Sequence, residues 1–177
     1  MFPDWWTFVP VAGKATFVKE WSTKPLSRDL CEQAYKANSG YHGLGVVTGE
    51  FSGGLIALDI DGPEADKRYA EAAAAEGYDA YGAERTMSWT SGKPGRRQLL
   101  YRVPASVVPE LRHVKTLILR QEGEWRLGHS DVERHTKQGE ANELPYEEVV
   151  LRFNQCQSVV PGSPHPDTKR PYQWLNY

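Results

Sequence analysis

Cysteine is scarce in this chain. Only Cys31 and Cys156 occur among 177 residues, far apart and without the Cys-x-x-Cys spacing of a zinc site, so neither a zinc centre nor a disulfide framework is expected. A reducing cytoplasm is the expected location. Long apolar runs are missing too. The start, Met1-Phe2-Pro3-Asp4-Trp5-Trp6, has no basic region followed by an apolar stretch, so no secretory signal or membrane span is expected. Charge of one sign is likewise lacking: 21 Lys and Arg stand against 23 Asp and Glu. Global charge therefore points to no partner, and any nucleic-acid binding must come from a local patch. His129 and His135 lie in a polar stretch, 128–143, at a separation that suits neither a helical nor a zinc-type pair, and a mobile loop is expected there.

What is present suits one compact soluble domain, with 40% hydrophobic and 25% charged residues in the ordinary globular range. The segment Leu55-Ile56-Ala57-Leu58-Asp59-Ile60-Asp61-Gly62-Pro63 reads as a buried strand ending in two carboxylates. Alternation puts Ile56, Leu58 and Ile60 on one face and Leu55, Ala57, Asp59 and Asp61 on the other. Residues two apart on a strand are about 7 Å apart, which suits either a turn-starting strand end or a carboxylate clamp for Mg2+ or Mn2+. Pro63, Glu64 and Asp66 then open a helix over 63–76, stopped by Gly77.

Elsewhere, residues 1–24 read as an irregular or short-stranded lead-in whose aromatics pack on the core. Ser27 caps a helix running to about Ala37, and Leu30, Cys31, Ala34 and Tyr35 form its core stripe. Residues 43–49 read as a short strand. Its Gly43-x-Gly45 is superficially like a dinucleotide fingerprint, but a helix precedes it and a strand follows, the reverse of what that motif needs, so the glycines are expected to serve tight turns. Residues 86–90 and 97–103 read as paired strands. Between them, Ser91-Gly92-Lys93-Pro94-Gly95-Arg96 forms a basic loop, and Lys93, Arg96 and Arg97 suit phosphates as well as a solvated hairpin tip. Strands are expected at 116–119 and 124–127, and a final hairpin from 148–153 and 157–160. His165, held between Pro164 and Pro166, suits either a rigid phosphate donor or a solvent-exposed turn.

The order of these segments carries a likeness. Trp21 precedes the first helix, Gly43-x-Gly45-Val46 and Thr48-Gly49 follow it, and Ser52-Gly53-Gly54-Leu55 leads into Leu58-Asp59-x-Asp61. Then come Thr90-Ser91-Gly92, an Arg-containing apolar strand, Val159-x-Pro161-x-Ser163-x-His165, and Tyr172-x-Trp174. Over nearly its whole length the chain resembles the primase-polymerase domain of the archaeo-eukaryotic primase superfamily, found at the N-terminus of plasmid and phage replication proteins.

The resemblance implies an α+β fold, an RRM-like catalytic sheet packed with an N-terminal α/β module, with 1–177 as one domain. It implies that the chain is the N-terminal part of a longer replication protein, with a helicase or other replication domain beyond. The implied activity is template-directed DNA primase/polymerase chemistry from dNTP or NTP, with a single-stranded DNA template and a primer as partners. Asp59 and Asp61 would be catalytic and hold two Mg2+ or Mn2+ ions. Ser91, Lys93, Arg96, Arg97, Gln98, Ser163 and His165 would contact nucleotide phosphates. Two positions depart from the family pattern. Gln98 stands where the second motif usually closes with His, and its amide can donate a hydrogen bond but cannot carry charge. Val150 stands where the third acid normally precedes Arg152. Glu148 shares its strand parity and is the substitute acid, brought in by a bulge or shifted register.

Two other readings follow from the same residues. One is a catalytically weakened replication-initiation or single-stranded DNA-binding module of this fold. The other, from Asp59-x-Asp61-Gly62, is an Asp-nucleophile phosphatase. That motif normally opens its domain and continues with Thr, which this chain does not do.

Overall fold

In the computed structural model, residues 2–80, 86–119, 125–127 and 147–176 are described. The elements run β1 Phe8–Val11, α1 Arg28–Ala37, β2 Gly43–Val47, β3 Leu55–Asp61, α2 Pro63–Ala75, β4 Ser88–Thr90, β5 Arg96–Arg102, β6 Thr116–Leu119, β7 Trp125–Leu127, β8 Val149–Arg152, β9 Gln157–Val159 and β10 Gln173–Asn176. The strands form a three-stranded sheet, β1-β2-β9, and a seven-stranded sheet, β10-β4-β5-β3-β8-β6-β7. The paired strands are antiparallel throughout. With two antiparallel sheets and few helices among the described residues, the fold is α+β.

The central strand β3 shows why two sheets and a helix pack as they do. Its alternation divides two cores. Leu55 and Ala57 pack with Val9, Val46, Trp89 and Leu100 between the sheets. Leu58 and Ile60 pack on the other side with Leu99 and Ala65, against Tyr69 and Ala72 of α2. Asp59 and Asp61 continue the face of Leu55 and Ala57, so the strand emerges from the inter-sheet core into polar surroundings. Trp89, fully buried, closes that core. It opposes Trp174 on β10, with the rings edge to face at 5.4 Å, a favoured aromatic geometry.

The start of α2 has no capping side chain of its own, because Gly62 occupies the N-cap. Glu147, just before β8, supplies the missing acceptor: its Oε2 takes the N–H groups of Glu64 at 2.5 Å and Ala65 at 3.2 Å. A carboxylate at this end also meets the positive pole of the helix.

Several expectations are corrected. The segments 148–153 and 157–160 do not form a hairpin. β8 pairs with β3 and β6, while β9 crosses to the other sheet and pairs with β2, because Cys156 and its neighbours turn the chain between sheets. The α1 stripe is not core: Cys31 is buried, but Leu30 and Tyr35 are exposed, since the helix lies against β1 alone among the strands it contacts extensively. In the lead-in, Trp6 and Phe8 are buried as expected, whereas Trp5 and Phe17 are exposed.

Gly43 and Gly45 do not make turns. Both lie within β2 without a positive φ, and a Cβ there would meet Ser163 Cβ at 2.5 Å and Gln157 Oε1 at 2.1 Å. Glycine is required for close approach, not for backbone freedom. The polar stretch 128–143, with His129 and His135, lies outside the described residues. Among the described residues, no helix is long and apolar enough to cross a membrane.

Trp89→Ala should destabilise the fold by about 3–5 kcal/mol, the usual range for a buried large aromatic, measured by urea denaturation. A loss under about 1 kcal/mol would show that the inter-sheet core does not depend on this ring.

Candidate functional site

The register fixes what surrounds the two carboxylates. Asp59 lies opposite Gln98 on β5 and Val150 on β8, and Asp61 lies opposite Arg96. Paired residues share a face, so Gln98 and Arg96 stand beside the acids. Gln98 Nε2 donates to Asp59 Oδ1 at 3.1 Å, and Arg152 Nη2 donates to Asp59 Oδ2 at 2.6 Å. Arg96 Nη1 lies 2.8 Å from Asp61 Oδ1. Burial pushes the Asp61 carboxyl up from its ordinary value, and the negative charge of Asp59 pushes it further, while Arg96 draws it back. The two carboxylates therefore feel each other.

These groups line a cavity of about 220 Å³ between the two sheets. Lys14, Ser91, Gln157, Ser158, His165 and Tyr172 complete much of its wall. Cations dominate: Lys14, Arg96 and Arg152 stand against Asp59 and Asp61. The wall also holds buried polar atoms without a partner, namely Trp89 Nε1, Gln98 Oε1, Arg152 Nε, Gln157 Oε1 and Ser158 Oγ. Unpaired buried donors and acceptors are costly, at about 1–3 kcal/mol each. Their concentration here gives the cavity hydrogen-bonding capacity that the fold itself does not use.

His165 is 1% exposed, so it is not a turn histidine in solvent. Its Nδ1 accepts the N–H groups of Asp167 at 3.2 Å and Thr168 at 3.3 Å. With Nδ1 an acceptor, the neutral ring carries its proton on Nε2. Burial lowers its pKa, and the nearby Lys14 and Lys93 lower it further. The imidazole is thus a neutral hydrogen-bond donor in a cationic surround.

The remaining expected site residues are placed differently. Lys93 sits at the tip of the 91–96 loop, its Nζ 2.7 Å from Asp167 Oδ2. Arg97 lines the cavity, yet its guanidinium turns to α2, donating to Asp66 Oδ1 from Nε at 3.0 Å and Nη2 at 2.6 Å. Ser163 Oγ accepts from Leu44 N at 2.9 Å and donates to Leu44 O at 3.2 Å, tying the turn to β2. Glu148 is buried, and its carbonyl accepts the Asp61 N–H at 2.9 Å. That contact continues the β3–β8 register and places Glu148 opposite Asp61 with no bulge between. Its side chain is not part of the cavity wall.

Oxygen-only donors fit a hard divalent cation such as Mg2+ or Mn2+. Asp59 and Asp61 could supply two ligands, and the repulsion that raises the Asp61 pKa is what a cation between them would relieve. Among the described residues, no group of three or more His, Cys, Asp or Glu side chains is placed to hold a metal.

Sequence reasoning missed Lys14, Asp167, Gln157, Ser158 and Tyr172. Lys14 comes from an irregular lead-in, Gln157 and Ser158 from a strand assigned to the wrong partner, and Asp167 from a turn with no periodic signal. Arg152 was noticed only as a landmark, although its spacing from Val150 could have predicted its place beside Asp59.

The fold is α+β, with paired acids in the wall of a cationic inter-sheet cavity. Over residues 4–177 the chain matches the family described as "Bifunctional DNA primase/polymerase, N-terminal", and it is a member of that family. No curated protein matches the chain.

Because His165 is held neutral when folded while its unfolded pKa is the ordinary 6.5, the unfolded chain takes up a proton first as pH falls. This contribution to stability is complete above about pH 6.5 and is lost below it. His165→Gln should flatten the fall of the urea midpoint between pH 7.5 and 5.5. An unchanged slope would mean that His165 is not held neutral.

Proposed function

We propose that the chain is the catalytic domain of a template-directed DNA primase/polymerase, joining nucleoside triphosphates to a primer on single-stranded DNA. The observation that carries this reading is the convergence of Asp59 and Asp61 with Lys14, Arg96 and His165 on one cavity. Family membership supports it. The bond formed is between a primer 3′-oxygen and the α-phosphorus; the bond broken leads to pyrophosphate.

Bound Mg2+ or Mn2+ would sit at Asp59 and Asp61 and supply positive charge to the attacking and leaving oxygens. Lys14, Lys93 and Arg96 offset triphosphate charge, and His165 donates a neutral hydrogen bond from Nε2. Ser91 and Gln98 offer further polar contacts at the cavity wall. Arg152 and Gln98 hold Asp59 by its two oxygens. Arg97 and Ser163 serve the site by holding α2 and β2, given the partners they already have. In this reading the seven-stranded sheet is the RRM-like catalytic sheet, the β1-α1-β2 segment is the N-terminal module, and residues 1–177 form one domain of a longer replication protein.

A second reading, a catalytically weakened single-stranded DNA-binding or replication-initiation module, is favoured by one observation. Val150 stands directly beside Asp59, so no acid flanks it from β8.

Primer extension on a DNA template with Mg2+ or Mn2+ separates the two. The wild type should extend the primer, and Asp59→Ala with Asp61→Ala should lose at least about 10²-fold, since metal charge stabilisation amounts to several kcal/mol. Glu148, opposite Asp61 in the continued β3–β8 register, is the substitute third acid in this reading, and Glu148→Ala should reduce incorporation as well; full activity would remove it from the catalytic set. A wild type that binds template yet incorporates nothing would replace the lead reading with the second.

A further inference from the structure

Part of the cavity wall comes from two segments distant in sequence, the 91–96 loop and the 163–170 turn, and one residue joins them. In the turn, the Lys169 N–H donates to His165 O at 2.9 Å and the His165 N–H to Arg170 O at 2.8 Å. The ring of His165 packs on Tyr172, with centroids 5.4 Å apart. Asp167 lies at the apex. Its backbone N–H donates to His165 Nδ1 at 3.2 Å, and its carboxylate holds Lys93 Nζ at 2.7 Å. Together with the Thr168 N–H, this backbone contact sets which imidazole nitrogen carries the proton, and the carboxylate sets where the ammonium rests.

We propose that Asp167 is a positioning residue for the anion site, aligning Lys93 and His165 on the same phosphate group of a bound nucleotide. This rests on the nucleotide-binding reading above. A free lysine side chain loses rotamer freedom on being fixed, and Asp167 imposes that restriction before the ligand arrives. An ammonium has three donors, so one bond to Asp167 leaves two for phosphate. The carboxylate of Asp167 is 66% exposed, so water and salt screen its repulsion of an approaching anion. Lys93 is more covered, at 31%, and lies two residues from Ser91 and three from Arg96, both in the cavity wall.

The opposite role is also physically definite: Asp167 could compete with phosphate for Lys93. The sign of one measurement decides. Binding of dATP with Mg2+, and of inorganic tripolyphosphate, is measured by calorimetry for wild type, Asp167→Asn, Lys93→Ala and the double variant. Asp167→Asn retains the backbone N–H to His165 and removes the charge that holds Lys93. It should weaken both ligands about 3- to 10-fold, have no further effect once Lys93 is Ala, and be rescued in part by Asp167→Glu. Thermal stability should hardly move, because an exposed pair contributes little, so a loss of affinity is not a loss of fold.

Unchanged or tighter binding in Asp167→Asn would overturn the positioning role alone and leave nucleotide binding intact. An equal loss in the Lys93→Ala background would overturn it too, because the effect would not pass through Lys93. A folded wild type that binds tripolyphosphate but not dATP would overturn the nucleotide reading while the variants still test Asp167 on the anion. Binding of neither ligand would overturn both.

Discussion

The backbone pairing of β3 along both edges is the interaction on which the rest depends. β5 on one side and β8 on the other leave Asp59 no choice of neighbours: Gln98 and Val150 flank it, and Arg152 reaches it from two pairs further along β8. A strand so enclosed has fixed register, and a slip of one residue would drive both acids into the α2 core and Leu58 and Ile60 into the cavity. The apolar residues on each face thus enforce the position of the acids. The placement of side chains at the cavity is precise because packing away from it is.

The same enclosure explains the electrostatics. Two carboxylates placed on one face by the pleat repel, and the chain answers with guanidinium groups from both neighbours, Arg96 from β5 and Arg152 from β8. Partial burial makes such pairing necessary, since a charge taken from water needs compensation. Five buried polar atoms around the same space stay without partners. A site that met all its own hydrogen-bonding needs would have nothing to offer a ligand, and this one keeps both donors and acceptors in reserve.

How much of this was legible depended on range. The face of β3 and the strand-to-helix junction were readable because period and turn residues are local signals. The order of motifs carried the family resemblance, which the match over 4–177 bears out. Asp59-x-Asp61-Gly62 alone admitted a phosphatase, and only the whole chain argued otherwise. The partner of β9 was not legible, because 148–153 and 157–160 are close enough to suggest a hairpin and nothing local says that the chain changes sheets. The two glycines of β2 were misread for a related reason. Whether Gly serves a turn or a close contact depends on what lies across from it, here Gln157 and Ser163, more than a hundred residues away. The partnering of Arg97 with Asp66 instead of the cavity follows from strand parity with Ile60, and it becomes visible once the register is known.

The crossover between sheets has a mechanical consequence. Residues 153–156 alone connect β8 to β9, and they are pinned. Phe153 is fully buried, and Asn154 bonds to Glu50 N at 3.1 Å and Arg112 O at 2.8 Å. Thr48 Oγ1 donates to the Cys156 carbonyl at 3.3 Å. So short and anchored a tether holds the two sheets together where the chain crosses between them. At that edge the spacing of the sheets is set by the covalent chain as well as by the packing of side chains.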